Sequence, residues 1–270
     1  MVNGISSLLK DKLAQISLVL FVILSLWWAY IFFGGIQGTA QNDLFGFVYG
    51  AFSIWGGIIG FGVSSKWGGF KSIIGRAITC LSAGLLLQGF GQYSFWYLNS
   101  VAKIEVPYPS IPDIGFFGTI PFYIYAAYLL AKAAGAKVSL KTYRNRLQAI
   151  IIPVVMVAVA YFLFLQDYEF DWSAPLTVFL DFGYPMGQAI YVSGAILTYS
   201  LSRNLLGGIM KFPILILIFA FIAQFLSDYT YVLMKESYFP GSYIDYIYLL
   251  SYFIMSLGLV QMKVVADKLK

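Results

Sequence analysis

The sequence predicts an all-α integral membrane protein with eight transmembrane helices, arranged as a single polytopic membrane domain over residues 1–270. Two observations lead to this fold class. The chain is 60% hydrophobic and 11% charged, with a mean hydropathy of +0.80, whereas soluble domains carry about 25% charged residues. Its apolar runs are about 20 residues long, which is the length that a helix needs to cross a hydrocarbon core of about 30 Å.

The apolar runs predict where each span lies. The first run is too long for a signal peptide and no small-residue cleavage site follows it, so it is expected to be a retained span. The connections between runs are short, which leaves no room for a second domain or a soluble output module. The eight predicted spans cover about residues 13–34, 44–63, 72–98, 112–134, 146–166, 175–201, 212–234 and 243–263.

The basic residues predict the orientation of these spans. If the spans alternate, only Lys103 and Lys235 lie on the side opposite to both termini. The positive-inside rule then places both termini in the cytoplasm. The membrane predicted to hold the protein is the plasma membrane of the cell. A net charge of +5 spread over short loops also argues against binding to nucleic acid and leaves the lipid bilayer as the predicted partner. The remaining basic residues lie on the termini's side: Lys10, Lys12, Lys66, Lys71, Arg76, Lys132, Lys137, Lys141, Arg144, Arg146, Arg203, Lys211, Lys263, Lys268 and Lys270.

An aspartate recurs near the start of each span that runs from outside to inside. Asp43, Asp113, Asp181 and Asp245 are separated by 70, 68 and 64 residues. This spacing has two interpretations. Either a helix-hairpin unit is repeated four times, or the four helix starts use the same capping chemistry without common ancestry.

The segment Tyr108-Pro109-Ser110-Ile111-Pro112-Asp113 has the form of a helix start. An acidic residue three positions after Ser110 matches a capping box, and Pro112 fits the first turn, where its missing N–H is not needed. A carboxylate there also meets the positive end of the helix dipole, which contributes about 0.3–1 kcal/mol. Capping is therefore a sufficient explanation for each of the four recurrent aspartates taken alone.

Asp228 lacks such an explanation. It lies in the outer half of a span that runs from inside to outside, where the negative end of the dipole opposes a carboxylate. A charge within a span costs about 2.5–3.5 kcal/mol on insertion scales, so it usually faces a cavity or a partner. Gln224 precedes Asp228 by four residues and shares its helix face. This pair is the strongest candidate for function, and a hydrogen-bonded structural contact is the alternative.

Other polar residues are predicted in the same outer half. Gln88 and Gln92 lie one turn apart on the third span, and Tyr243 and Tyr248 belong to the eighth. Together these residues predict an outward-facing, lightly acidic pocket suited to a cation, an amine or a polar-headed amphiphile. The predicted ligand-binding residues are Asp228, Gln224, Asp113, Asp181, Gln188, Asp245, Gln92 and Tyr184.

Several classes of site are excluded by composition. The chain has no histidine, which removes His-ligated haem, His-containing zinc sites and Ser-His-Asp triads. Cys80 is the single cysteine, and neither a phosphate-binding glycine loop nor an HExxH motif occurs. Lys263 is predicted at the end of the last span, whereas a retinal Schiff-base lysine is expected near mid-span. We therefore expect no cofactor, no metal and no catalytic residues.

Three segments resemble the polytopic membrane region found ahead of GGDEF, EAL or histidine-kinase modules in many bacteria. They are Pro107-Tyr108-Pro109-Ser110-x-x-Asp113, Tyr184-Pro185-x-x-Gln188, and Asp228 followed by Tyr238-x-Pro240-Gly241-Ser242-x-x-Asp245. The resemblance covers about residues 105–260 and implies a sensor-like role at the membrane. The chain departs from that family in two ways, because Gln188 replaces an aspartate and no output module follows.

Three functions are consistent with these patterns. The first is a non-catalytic, sensor-like membrane protein whose pocket binds a small or amphiphilic ligand, with the signal read by a cytoplasmic partner at the basic loop of residues 132–146. The second is a cation- or proton-coupled transporter or channel that uses the outer-half aspartates. The third is a membrane enzyme acting on lipids, for which only aspartates and tyrosines could activate water. Polar residues that line only the outer half favour a pocket over a pore.

Overall fold

The computed structural model describes residues 2–133, 140–202, 209–234 and 237–269, and their regular secondary structure is helical. Short π-helical turns extend two of the helices, over Tyr97–Val101 and Tyr161–Leu165. The α-helices are α1 Val2–Leu9, α2 Lys12–Phe33, α3 Ala40–Lys66, α4 Ile73–Trp96, α5 Ile111–Ala133, α6 Tyr143–Ala160, α7 Pro175–Ser202, α8 Lys211–Met234 and α9 Tyr243–Lys268.

Eight of these helices, α2 to α9, coincide with the eight predicted spans to within a few residues. Seven of them, within the described part of the chain, are long and apolar enough to cross a membrane. Helix α7 is not one of the seven, although it has 28 residues. Its sequence carries Asp181, Gln188 and three glycines, which lower its mean hydropathy. The protein is therefore a helical membrane protein with at least seven membrane-length apolar helices among the described residues.

Six of the eight long helices close a ring, and the other two lie outside it. In order around the ring, α3, α4, α5, α7, α8 and α9 each contact the next, and α9 contacts α3. Helix α2 packs on the outside of α9, and α6 packs on the outside of α7. Burial follows this arrangement, because the apolar window is 78% buried in α9 but only 6% buried in α6. The outer face of α6 is thus available to lipid.

The two ends of the bundle are named here by the segments that they hold. The end that holds the N-terminal segment and the end of α9 is called the proximal end. There Lys263 pairs with Asp11, and Lys66 pairs with Asp267 at 2.6 Å. The opposite, distal end holds the loops at 34–39, 102–110, 166–174 and 237–242. The first and last long helices therefore bring the described ends of the chain to the same face of the bundle.

Glycines on α3 bring neighbouring helices into close contact, as the Gly-xxx-Gly spacing predicts. A methyl group at Gly56 would overlap the Ser256 hydroxyl, and one at Gly60 would overlap the Ser82 hydroxyl. These contacts lie within the chain, so glycine spacing here serves internal packing. The proximal half of the ring is closely packed at α3, α4 and α9.

Proline does not interrupt α7. The sequence predicts that Tyr184-Pro185 breaks this span, but α7 continues from Pro175 to Ser202 with Pro185 inside it. That prediction was wrong. Helices packed in a membrane bundle tolerate proline because neighbouring groups satisfy the freed carbonyl.

Candidate functional site

The Asp228 carboxylate lies on α8, about two turns before that helix ends, and it accepts hydrogen bonds from three helices. Its Oδ1 accepts from Gln224 Nε2 at 3.0 Å and from Tyr248 Oη at 2.8 Å. Its Oδ2 accepts from Gln188 Nε2 at 2.6 Å. Because Gln188 belongs to α7 and Tyr248 to α9, one carboxylate joins three consecutive members of the ring.

No described cation is paired with Asp228. The described ion pairs are Lys66–Asp267, Lys103–Asp43, Lys263–Asp11 and Lys263–Asp267, all at the ends of the bundle. The three donors that reach Asp228 are neutral amides and a phenol. Donors of this kind supply no counter-charge.

Two hydroxyls contact glutamines of the ring at corresponding places. Ser251 on α9 donates to Gln224 Oε1 at 3.0 Å, which turns the amide nitrogen of Gln224 toward Asp228. Thr119 Oγ1 on α5 lies 3.2 Å from Gln88 Oε1 and also contacts the carbonyl oxygens of Gly115 and Gly84. Each hydroxyl lies six residues after a helix-start aspartate, Asp113 or Asp245. The two contacts therefore occupy corresponding places in the two halves of the chain.

Three buried tyrosine hydroxyls, those of Tyr191, Tyr229 and Tyr252, have no hydrogen-bond partner within the described residues. Tyr191 on α7 and Tyr252 on α9 each lie one turn after a residue that donates to Asp228, on the same helix face. The Tyr229 ring contacts Phe164 instead, on the side of α6. Leaving a buried polar group unpaired costs about 1–3 kcal/mol.

Aromatic rings close one side of this region. The rings of Tyr123, Tyr191 and Phe221 contact one another, with centroids 5.0–5.6 Å apart. All three side chains are among the most buried in the protein. The polar groups are therefore enclosed by packed aromatics.

Asp113 combines the predicted cap with an unpredicted contact. Its Oδ2 accepts from the Ser110 backbone N at 2.7 Å, and its own N donates to the Ser110 carbonyl at 3.1 Å, so the side-chain arm of the capping box forms as predicted. Its Oδ1 accepts from Tyr184 Oη on α7 at 2.9 Å. The cap thus also joins α5 to α7.

Asp245 has the corresponding place on α9. Its carboxylate accepts from Gly241 N at 2.7 Å, Tyr49 Oη at 3.0 Å and Tyr238 Oη at 3.2 Å. Gly241 adopts a φ of 85°, a conformation that favours glycine. Burial and the charge of Asp245 hold the pKa of Tyr238, in the distal loop, well above its ordinary value, so its hydroxyl remains a donor.

Asp181 does not cap a helix. Because α7 begins at Pro175, Asp181 lies beyond its first turn, which contains no acidic residue, and the capping interpretation is wrong here. Its carboxylate accepts from Tyr108 Oη and Tyr168 Oη, each at 2.8 Å. The hydrogen bond to Asp181 raises the pKa of Tyr168 to about 12, and burial with the same carboxylate raises the pKa of Tyr108. Asp181 ties two distal loops to α7.

The predicted residues therefore fall into separate clusters. Asp228, Gln224 and Gln188 meet directly, and Asp113 meets Tyr184. Asp181 and Asp245 each belong to a further, separate cluster. Tyr184 is close enough to both Asp113 and Asp228 to experience their charges. Gln92 is buried and packs against Gly50.

Sequence reasoning missed several residues of the site. Ser251 and Tyr191 lie within apolar runs, where nothing in the sequence sets them apart from ordinary core residues. Only the equal offset from Asp113 to Thr119 and from Asp245 to Ser251 could have indicated Ser251.

Two apolar grooves, with volumes of about 390 and 470 Å³, lie on the outside of α6 and α7. Met186 lines both grooves. Neither lining contains a predicted ligand-binding residue. One is lined by Phe170, Trp172, Val178, Phe179, Phe182, Gly183 and Met186, and the other by Pro153, Val154, Val157, Ala158, Tyr161, Phe162 and Met186.

The described residues contain no group of three or more His, Cys, Asp or Glu side chains that could hold a metal ion. Comparison with known proteins finds no family model, no curated protein and no solved structure that matches this chain.

Proposed function

We propose that the protein is a non-catalytic, sensor-like protein of the cell membrane that binds a cationic group at Asp228. The observation that carries this proposal is the Asp228 carboxylate itself, held by three neutral donors from α7, α8 and α9 without a paired cation among the described residues. A charged side chain within a span is costly and usually faces a cavity or a partner. A cationic ligand would be that partner.

The proposed topology has eight spans, with the proximal end in the cytoplasm and the distal end outside. Helix α7 then also crosses the membrane and brings the number of spans to eight, because its 28 residues exceed the length needed for crossing. The basic loops lie on the side of the termini, in agreement with the positive-inside rule. The cluster around Asp228 would then lie in the outer half of the membrane.

We further propose that the chain is built from repeated units. The matching contacts Thr119–Gln88 and Ser251–Gln224 favour two four-helix halves, each made of two of the predicted hairpins. In this arrangement Gln92 corresponds to Asp228, since Gln88-xxx-Gln92 matches Gln224-xxx-Asp228. The charge of the site would therefore belong to the second half alone.

Ligand binding can change the packing of α7, α8 and α9, because all three contribute hydrogen bonds to Asp228. The proposed reader of that change is a cytoplasmic partner at the basic loop of residues 132–146. Of its basic residues, Lys132 lies at the end of α5, Lys141 precedes α6, and Arg144 and Arg146 lie in the first turn of α6, whereas Lys137 lies outside the described residues.

The experiment is a thermal-stability screen of purified full-length protein against cations, amines and cationic amphiphiles. We expect at least one compound to raise the melting midpoint of the wild type and to lose this effect in Asp228→Asn. Asp181→Asn is the matched control. The Asp181 carboxylate, like that of Asp228, accepts hydrogen bonds from neutral side chains, but its two donors are tyrosines of the distal loops. Equal ligand effects in wild type and Asp228→Asn would contradict the proposal.

A cation-coupled transporter is the second candidate, because the carboxylate lies inside a closed ring of six helices. The close packing of Gly56 against Ser256 and of Gly60 against Ser82 argues for a site closed toward the proximal end. Cation flux in proteoliposomes that Asp228→Asn abolishes would favour the transporter. Binding without flux would favour the sensor-like protein.

A further inference from the structure

We infer that Phe95 on α4 and Tyr231 on α8 form an aromatic gate at the distal mouth of the ring, and that a ligand reaches Asp228 past these two side chains. The inference rests on the proposed function and adds the route by which its ligand enters. It follows from the space beside Asp228, from the rings that bound this space and from the different burial of those rings.

Asp228 borders a space inside the ring of helices. Phe221 and Gln224, seven and four residues before it on α8, share its helix face and are buried. Phe219 and Leu226 lie on the opposite face and are exposed on the outside of the bundle. Asp228 therefore faces inward, yet it is only half-buried. The exposed part of its side chain must border a space within the ring.

On the distal side of this space, side chains from opposite helices of the ring meet. Two other helices separate α4 from α8 in either direction around the ring. Phe95 lies at the distal end of α4, and Tyr231 lies three residues after Asp228, about 4.5 Å further along α8. The two ring centroids are 6.1 Å apart in an edge-to-face contact. This contact therefore crosses the mouth of the ring.

Tyr238 completes the closure from the distal loop at 237–242. Its ring centroid lies 5.8 Å from that of Phe95 and 5.6 Å from that of Tyr231. Its hydroxyl donates to Asp245 Oδ1 at 3.2 Å, which ties the ring to the start of α9. Three mutually contacting rings thus cover the space beside Asp228 on its distal side.

The burial of the rings identifies the distal side as the entrance. All three rings of the distal triangle are half-buried. A ring at a partly exposed position can change rotamer quickly, whereas a ring in a close-packed interior cannot do so without displacing its neighbours. The rings on the proximal side are fully buried and contact one another: Tyr123, Tyr191 and Phe221. The distal rings are therefore the ones that can move aside.

The test measures how fast a thiol introduced by Asp228→Cys reacts with a membrane-impermeant methanethiosulfonate that carries a quaternary ammonium group. Full-length protein with Cys80→Ala, which removes the single native thiol, is reconstituted in one orientation, and the reagent is added to one side at a time. We expect reaction from the distal side, accelerated about tenfold by Phe95→Ala or Tyr231→Ala because each lowers the barrier to entry. Phe90→Ala, on the exposed face of α4, is the control and should leave the rate unchanged.

Tyr248→Cys is the second reporter if Asp228→Cys fails to fold, because the Tyr248 hydroxyl donates to Asp228 at 2.8 Å and its side chain is half-buried. Faster reaction from the proximal side, or distal rates unchanged by both gate variants, would overturn the gate. Labelling requires no ligand, so either result would leave cation binding at Asp228 standing. A cation screen without any Asp228-dependent stabilisation would overturn the proposed function and ligand entry through the gate with it.

Discussion

Asp228 Oδ2 and Gln188 Nε2 lie 2.6 Å apart, and this hydrogen bond joins α8 to α7 inside the ring. The neutral amide of Gln188 contributes a donor at a position where a second carboxylate would repel Asp228. This pairing keeps the negative charge of the site at one.

Gln188→Glu should lower the melting midpoint at pH 8 and recover much of the loss at pH 5. Two carboxylates in contact raise the pKa of one of them above its unfolded value of about 4.3. The folded state then binds a proton that the unfolded state lacks, so stability is present at low pH and is lost as pH rises through the raised pKa. Thermal melting at both pH values checks this.

Gln188→Met is the control for that prediction, because it removes the hydrogen bond without adding charge. Its loss of stability should not decrease toward pH 5 in the manner of Gln188→Glu. The same pH response in both variants would contradict the account of Gln188.

Gly60→Ala should destabilise the protein by about 1–3 kcal/mol, the usual cost of overpacking a core. The added methyl group would overlap the Ser82 hydroxyl at the contact between α3 and α4. Gly62→Ala, two residues along the same helix, meets nothing within 4 Å and should be neutral or slightly stabilising. Chemical denaturation in detergent measures both. Equal effects would contradict the proposed close packing of the proximal half.

Tyr184→Phe should cost about 1.5 kcal/mol, because it removes the hydroxyl that donates to Asp113 Oδ1 at 2.9 Å. This bond is a polar link between α5 and α7 near their distal ends. Tyr125→Phe removes a hydroxyl from the exposed face of α5 and should be nearly neutral. Unfolding free energies of the two variants provide the comparison, and a neutral Tyr184→Phe would show that the link contributes little.

Asp11→Asn should cost about 1 kcal/mol at low ionic strength and less at high ionic strength. Asp11 Oδ1 caps α2 through Leu13 N at 2.9 Å, and its other oxygen pairs with Lys263. Asparagine keeps the cap but removes the ion pair, which salt screens. A salt-independent loss would contradict the assignment of the effect to the ion pair.

The positions of the long helices could be predicted because hydropathy and length alone define an apolar run. The course of the chain around the ring could not, since it depends on which faces pack together. Helix α6 illustrates this limit: its sequence is as apolar as that of a central helix, yet it lies outside the ring. Pro185 was misread for a similar reason, because packing in the bundle tolerates a proline that would break an isolated helix.

The site could be predicted where a residue conflicts with its local surroundings. Asp228 is such a residue, and the periodicity of a helix brings Gln224 to its side. The four recurrent aspartates all lie near predicted span starts, so the sequence could not show that Asp181 lies beyond the first turn of its helix. Tyr191 and Tyr252 look like ordinary core or interface aromatics in the sequence. Only the fold shows that their hydroxyls are buried without a hydrogen-bond partner among the described residues.

The melting midpoint of the purified full-length protein in the presence of cations, amines and cationic amphiphiles tests the central claim most directly. The account predicts that at least one compound raises the midpoint of the wild type and of Asp181→Asn but not that of Asp228→Asn. No such compound, or equal shifts in the wild type and Asp228→Asn, would contradict a cation site at Asp228.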